Sequence, residues 1–378
     1  MFSFISPQAL HFGRGQGQQA ATLAATYGKT ALLVHGSAVA RAQWLIDACR
    51  AAGLRVDTIG CKNEPTLQNV EQALKQFDGL HPDVVIALGG GSVMDFAKAI
   101  AALLPCAGAP SEYLEVVGSG RPLEHAPIPM IALPTTAGTG AEVTKNAVIS
   151  VPERGLKVSL RDARMVPDIA IVDPALMQGA PRRVALSAAL DAITQVIEPF
   201  LSTKSNPMTD ALCREAIPAG LKTIRDLVEQ DAPDAWDTMA WVSTCGGLAL
   251  ANAGLGAVHG FAGVIGGRTN APHGEVCGAL LPAVLQSHLD EAIDGTEIHT
   301  RLHWVLQQID TQFAQQRGGI LELLTWSKTM RLRGLNDMGV ASSDYTQIAT
   351  ASAAASSMKG NPFQLSQDKL VKILHSAS

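Results

Sequence analysis

DVVIALGGGSVMDFAKAIAALL, residues 83–104, runs from an unbroken apolar stretch through three glycines into a segment with helical spacing. VVIAL is short and rich in β-branched residues, which suits a strand buried on both faces. Glycines at the junction let the backbone turn tightly and approach a ligand. The N–H groups that open the following helix favour a phosphate. Gly89, Gly90, Gly91 and Ser92, with Asp95 one turn on, are candidate cofactor contacts. The plainer reading is a tight strand–helix turn that binds nothing.

The same alternation continues on both sides. TALLVH (30–35), RVDTIG (55–60), the apolar run that opens IPMIALPTTAGTG (128–140), and IAIVDPALM (169–177) have strand character. Residues 40–53, which close on Gly53, and LQNVEQALKQF (67–77) have helical spacing. Strands and helices in turn predict a doubly wound parallel sheet with helices on both faces. FGRGQG (12–17) follows no clear strand and reads as a turn and helix start.

Beyond about residue 180 the period changes. RRVALSAALDAITQVIEPFLS (182–202), MTDALCREAIPAGLKTIRDLVEQ (208–230) and GILELLTWSKTMRLRGL (319–335) are helical, and no convincing strand follows. The expectation is α/β plus all-α: an N-terminal α/β domain over 1–180 and a helical domain over 181–378. A cleft between two such domains is the default place for a site.

Composition narrows the class. Of 378 residues, 47% are hydrophobic and 17% charged, and the net charge is −5. Nothing points to nucleic acid or to an acidic membrane surface. Residues 238–267 carry no charged side chain, yet Asn252, His259 and many glycines favour a buried helix pair over a membrane span. The N-terminus lacks a basic region followed by an apolar core, so no signal peptide is expected. The six cysteines form no CxxC and read as buried thiols of a cytoplasmic protein.

Three further features carry chemistry. Thr135, Thr136 and Thr139 lie in a Thr/Gly loop after a buried strand, where hydroxyls can hold a nucleotide or simply cap a helix. His259 and His273 lie in a glycine-rich, almost uncharged stretch. Each is a satisfied core histidine or a ligand. Asp191 and Gln195 share one helix face, one turn apart. Imidazole and carboxylate suit Zn²⁺ or Fe²⁺, whereas a glutamine amide seldom binds metal.

In this order, GGGSVMDFAK, TTAGTGAEVT, DAITQVIEPF and VHG…APHG make the chain resemble the iron-containing alcohol dehydrogenases, the group III NAD(P)-dependent family. SNPMTDALC (205–213) and MKGNP (358–362) extend the likeness over nearly the whole length. The resemblance implies a Rossmann-like domain, a helical domain, the dehydroquinate-synthase-like architecture, and a divalent metal in the cleft between the domains. It implies cofactor contacts at Gly89, Gly90, Gly91, Ser92, Asp95, Thr135, Thr136, Thr139, Asn146 and Lys157, with Gly36 at the end of the TALLVH strand. The family's metal ligands, one Asp and three His, fall on Asp191, His259 and His273, and the remaining histidine falls on Gln195, which completes the expected metal set through its amide oxygen or through a water. Asp191, His259 and His273 are also the catalytic candidates, and a homodimer is expected.

Several positions depart from the family. Ala188-Ala189 replaces a frequent Thr-Gly, and Gly263 replaces a histidine that often lies beside the nicotinamide. Both changes remove polar groups and enlarge the pocket. The TALLVH strand ends in His35-Gly36-Ser37 with no carboxylate, and Arg41 lies a turn further on. An acidic residue there would repel a 2′-phosphate, so NADP is expected to be accepted or preferred over NAD. The chemistry expected is hydride transfer between an alcohol carbon and nicotinamide, aided by Fe²⁺ or Zn²⁺. Three other readings stay open. One is a metal-independent carbonyl reductase of the maleylacetate-reductase type, with a histidine as general acid. The others are a dehydroquinate-synthase-like lyase and a non-catalytic nucleotide-binding protein. The lyase needs basic residues, and only Arg268 lies near His259 and His273.

Overall fold

A computed structural model describes every residue except Asn270, Gln315 and Arg317. Two compact units emerge. One comprises residues 5–136 and 140–178, the other residues 1–4, 137–139 and 179–378.

The first unit is built on strands β1 (Ala9–Phe12), β2 (Thr30–His35), β3 (Arg55–Gly60), β4 (Val84–Gly89), β5 (Met130–Pro134) and β8 (Ile169–Val172). They form one parallel sheet in the order β1-β8-β5-β4-β2-β3. Helices α1 (Ala20–Ala24), α2 (Gln43–Ala51), α3 (Leu67–Gln76), α4 (Gly91–Leu103) and α5 (Pro110–Tyr113) connect the strands. Side chains alternate between two cores, as strand geometry demands. Leu33, Ile86 and Ile131 pack with Leu45 of α2. Leu32, Val34, Val85, Ala87 and Ala132 pack with Val93 and Ala97 of α4 and Val70 of α3. α1 and α2 therefore cover one face of the sheet and α3 and α4 the other, the doubly wound arrangement that the alternation predicts.

The chain leaves β2 for β3 on one side, then crosses back to β4 on the other side of β2. The carboxyl ends of β2 and β4 thus flank a topological switch point, the place where α/β sheets bind ligands. His35 pairs in register with Leu88, so Gly36 follows the end of β2 beside Gly89, the last residue of β4.

Two details of this unit differ from the sequence reading. FGRGQG does follow a strand: β1 ends at Phe12 and the chain turns into a short 3-10 helix at Gln16–Gln19 before α1. β1 pairs along one side only, with half-exposed residues, so its apolar signal is weak. Strands β6 (Asn146–Val151) and β7 (Leu156–Arg161) form an antiparallel hairpin that the reading did not contain.

The second unit is helical: α6 (Arg182–Leu201), α7 (Pro207–Gln230), α8 (Pro233–Ala253), α9 (Ala257–Arg268), α10 (His273–Glu291), α11 (Glu297–Phe313), α12 (Gly319–Thr329), α13 (Tyr345–Ala353) and α14 (Gln367–Ser376). The helix expected through residue 335 stops at Thr329, because Arg331 takes a left-handed φ of 74° that no helix can pass. α6 is long and apolar enough to cross a membrane, but 83% of its most apolar window is buried inside the protein. The uncharged stretch 238–267 lies on α8 and α9, which meet at 98°.

Candidate metal centre and cofactor turn

Along buried α6, Asp191, Gln195 and Glu198 recur at helical spacing, each 5% exposed or less. Two glycines of α10 bring that helix onto this face. A Cβ at Gly274 would stand 2.1 Å from the Ser187 carbonyl oxygen, and one at Gly278 would stand 2.5 Å from Leu190 Cδ1. Only glycine permits so close an approach. It sets His273, the first residue of α10, and Cys277, one turn later, beside Asp191. His259 arrives from the first turn of α9.

Glu198 aims that third helix. Its carboxylate accepts the Val258 N–H at 2.7 Å and the His259 N–H at 3.4 Å, which caps α9 with negative charge. It also lies 2.6 Å from His259 Nδ1. A proton held there leaves His259 Nε2 free to act as a ligand, the usual carboxylate–histidine arrangement at metal sites.

His259 Nε2 stands 3.3 Å from Asp191 Oδ1, and His273 Nε2 stands 3.8 Å from the same oxygen. Cys277 Sγ lies 3.9 Å from His259 Nε2. One donor atom from each of Asp191, His259, His273 and Cys277 lies within 4.8 Å of the others. Despite this crowding, the buried Asp191 Oδ1 accepts no well-aligned hydrogen bond. Four donor atoms gathered this closely, one of them a carboxylate oxygen with no aligned hydrogen bond, make an arrangement that a divalent cation can occupy. By this test the residues fit a divalent metal. His273 is the open side of the group, its side chain 33% exposed against 5% for His259 and 3% for Asp191.

Charge reinforces the arrangement. Burial works against ionising Asp191, but the His273 and His259 imidazoles outweigh it and hold its carboxyl at a pKa of about 2. Burial also disfavours both imidazolium ions, yet Cys277 and Asp191 overcome that and raise both histidines.

Gln195 donates from Nε2 to the Gly138 carbonyl at 3.2 Å, and its Oε1 is buried without a partner. Its side chain packs on α8, where a Cβ at Gly246 would lie 3.1 Å from Gln195 Cβ.

In the α/β unit, Gly89 ends β4 and Gly90 precedes α4 with extended backbone and no side-chain cap. A Cβ on Gly89 would fall 2.4 Å from Val93 Cγ2, so this turn admits glycine only. Thr135 N–H donates to the Gly89 carbonyl at 2.9 Å, and a Cβ on Gly90 would meet the Thr136 side chain at 3.2 Å. Gly89, Gly90, Gly91, Ser92, Thr135 and Thr136 thus surround one strand–helix turn, with Gly36 at the neighbouring strand end and Asp95 one turn into α4. Thr139 belongs instead to the segment 137–139 that packs with the helical unit. Asn146 opens β6, where its carbonyl accepts from Lys98 at 3.1 Å, and Lys157 of β7 is ion-paired with Glu64.

The iron-containing alcohol dehydrogenase family model matches residues 7–174, and the model of the C-terminal part of the same family matches residues 185–378. This chain is an iron-containing alcohol dehydrogenase family member. Alcohol dehydrogenase 4 of Saccharomyces cerevisiae is 32% identical over 83% of this chain and 80% of its own. Lactaldehyde reductase of Escherichia coli is 30% identical over 91% of this chain and 89% of its own. Among solved structures, a 1,3-propanediol oxidoreductase superposes with a TM-score of 0.88 at 26% identity, covering 100% of both chains. Such relatives interconvert alcohols and carbonyl compounds, and the family member described here is an oxidoreductase of that kind.

Two site residues escaped the sequence reading. Cys277 is four residues after His273, a spacing that puts both on one helix face, yet a cysteine among five other scattered ones gives no sign of its neighbours. Glu198 sits seven residues after Asp191, two turns on, and only the fold brings the start of α9 to its carboxylate.

Proposed function

We propose that this family member is an NAD(P)-dependent oxidoreductase that interconverts a small alcohol and its aldehyde or ketone, with Fe²⁺ or Zn²⁺ held by Asp191, His259 and His273. The observation that carries this is Asp191 Oδ1, buried and without a hydrogen bond while two imidazole nitrogens converge on it. When bound, the nicotinamide supplies or accepts the hydride, and the metal supplies Lewis-acid polarisation of the substrate oxygen.

The chain's own residues set the stage for that chemistry. Asp191 provides the negative charge that anchors the ion. Glu198 fixes the tautomer and direction of His259. His273, partly exposed, borders the side from which substrate approaches. Gly263 lies one turn after His259 on α9, and a Cβ there would meet nothing within 4 Å. That open space admits a bulkier substrate than a histidine at this position would. At the cofactor end, the turn at Gly89–Ser92 and the Thr135-Thr136 hydroxyls hold the phosphates. Thr139, Asn146 and Lys157 complete the nucleotide contacts.

The same reading makes NADPH an accepted coenzyme. No carboxylate follows β2, and Ser37 and Arg41 are exposed there. A kcat/KM for NADH far above that for NADPH would overturn this part. The reading also includes a homodimer and a cytoplasmic location, in keeping with six free thiols. Light scattering and cell fractionation test these two.

Elemental analysis of the purified protein, beside carbonyl-reduction assays over an aldehyde and ketone panel, tests the central claim. The protein is expected to carry about one divalent ion per chain, and Gln195→His to retain it more tightly. Reduction that proceeds at full rate in protein unable to bind Fe²⁺ or Zn²⁺ would replace this reading with the metal-independent one, for which the loss of an imidazole at Gln195 is the motivating observation.

A further inference from the structure

The geometry assigns Cys277 as the fourth protein ligand of the metal: its thiolate takes the place that the missing imidazole at Gln195 leaves. The inference rests on the metal reading above and identifies the protein donors of that site, to which the substrate oxygen would add as a fifth.

The distances support it first. Donors bound to a tetrahedral ion at about 2.0–2.1 Å for nitrogen or oxygen and about 2.3 Å for sulfur stand roughly 3.3 Å apart for N···O and roughly 3.6 Å for N···S. His259 Nε2 to Asp191 Oδ1 is 3.3 Å, and Cys277 Sγ to His259 Nε2 is 3.9 Å. Small adjustments on binding would bring all four to contact distance. The second support is Asp191 Oδ1, buried and accepting no aligned hydrogen bond, with the Cys277 sulfur and both imidazole nitrogens within 4.8 Å of it.

Packing explains why a cysteine suffices at this place. Gly274 and Gly278 press the backbone of α10 against α6, so residue 277 needs only one carbon and a sulfur to reach the cluster. The competing donor, Gln195, spends its amide nitrogen on Gly138 and offers a neutral hard oxygen, a poorer partner for Zn²⁺ or Fe²⁺ than a thiolate.

Charge and softness follow from the donor set. One carboxylate, one thiolate and two neutral imidazoles balance a divalent ion, where one carboxylate and three imidazoles leave a net positive charge. A neutral centre is cheaper to bury. A sulfur ligand also favours Zn²⁺ over Fe²⁺ beyond the ordinary order of affinities. On binding, the thiol proton and any proton on the two ligating imidazole nitrogens go to solvent as the metal–ligand bonds form, with no change of oxidation state.

The experiment uses the whole protein, stripped of metal with a chelator and titrated with Co²⁺ without oxygen. Wild type is expected to show an intense near-ultraviolet thiolate-to-cobalt band and to release about one proton more per Co²⁺ than Cys277→Ser. Cys277→Ser should lose the band and bind Zn²⁺ more weakly by on the order of 100-fold. It should also discriminate less between Zn²⁺ and Fe²⁺. Gln195→Leu should keep the band. If Cys277→Ser does not fold, Cys277→His provides the same test: bound Co²⁺ without the sulfur band. Cobalt bound by wild type with no charge-transfer band would overturn the assignment of Cys277 and leave the metal reading standing. So would a band that survives in Cys277→Ser. Failure of wild type to bind Co²⁺ at all would remove both.

Discussion

The two units solve the problem of binding in different ways. In the α/β unit the cofactor turn is made by backbone: Gly89 and Gly90 clear space, α4 starts without a side-chain cap, and neighbours in sequence are neighbours in space. In the helical unit the candidate metal centre is made by side chains from three helices, spread over 87 positions from Asp191 to Cys277 and counted inclusively. The first kind of site is local and cheap to encode. The second exists only after the helices pack, and it depends on glycines that never touch the ion.

The contrast can be broken at several points. The largest effect is expected from Asp191→Asn, which removes the carboxylate while keeping the shape. Metal should be lost, and kcat/KM should fall by roughly a thousandfold, the equivalent of several kcal/mol of transition-state stabilisation. Retained metal by elemental analysis would show that the cluster is organised around something else. Glu198→Gln leaves all direct donors in place and weakens only the aim of His259. Metal affinity should drop by about 10–100-fold, while the affinity for NADPH, measured by fluorescence, stays unchanged.

Gly274→Ala and Gly89→Ala sharpen the comparison directly. Each adds one methyl where it meets other atoms, Ser187 O in the first case and Val93 in the second. Overpacking of this kind costs about 1–3 kcal/mol, readable as a lower urea midpoint. Gly274→Ala should lower metal content and spare NADPH binding, and Gly89→Ala should do the opposite. Equal loss of both functions in either variant would mean that the two sites do not stand on separate local supports.

The smallest effect concerns Lys98, buried on α4 with Nζ 2.8 Å from Thr144 Oγ1 and 3.1 Å from the Asn146 carbonyl. Burial, against the pull of Asp95 and Glu142, brings its pKa from 10.5 down to about 8. Between these two values the unfolded chain holds a proton that the folded chain has lost. Stability from this residue therefore rises as pH increases from about 8 to 10.5, and the burden of a buried ammonium is fully present below pH 8. Lys98→Met should abolish that rise in urea unfolding measured across the range. An unchanged slope would sink the assignment.

Much of the architecture was legible locally. TALLVH, RVDTIG, VVIALG and IAIV are strands at the expected positions, and the long amphipathic and apolar helices fall where their periods place them. The hairpin of β6 and β7 was not read, although NAVISV and LKVSLR both alternate in burial. Their half-exposed faces leave little apolar signal, and their pairing is with each other, outside the main sheet. The helix end at Thr329 was also invisible, because Met330 and Arg331 are ordinary helix formers and the break lies in one backbone angle.

Asp191, His259 and His273 were legible through motifs whose residue types already suggest ligands. That they converge is a matter of tertiary packing. The sequence by itself determined the α/β alternation, the glycine turn after β4, the helical second half and the family, because each is written in short-range pattern. Only the tertiary structure decided that Cys277 faces Asp191, that Glu198 directs His259, and that Gln195 turns its amide to Gly138. The physical reason is that a ligand set depends on distances of a few ångströms between helices, and those are fixed by close contacts such as Gly274 on Ser187, which no local pattern reveals.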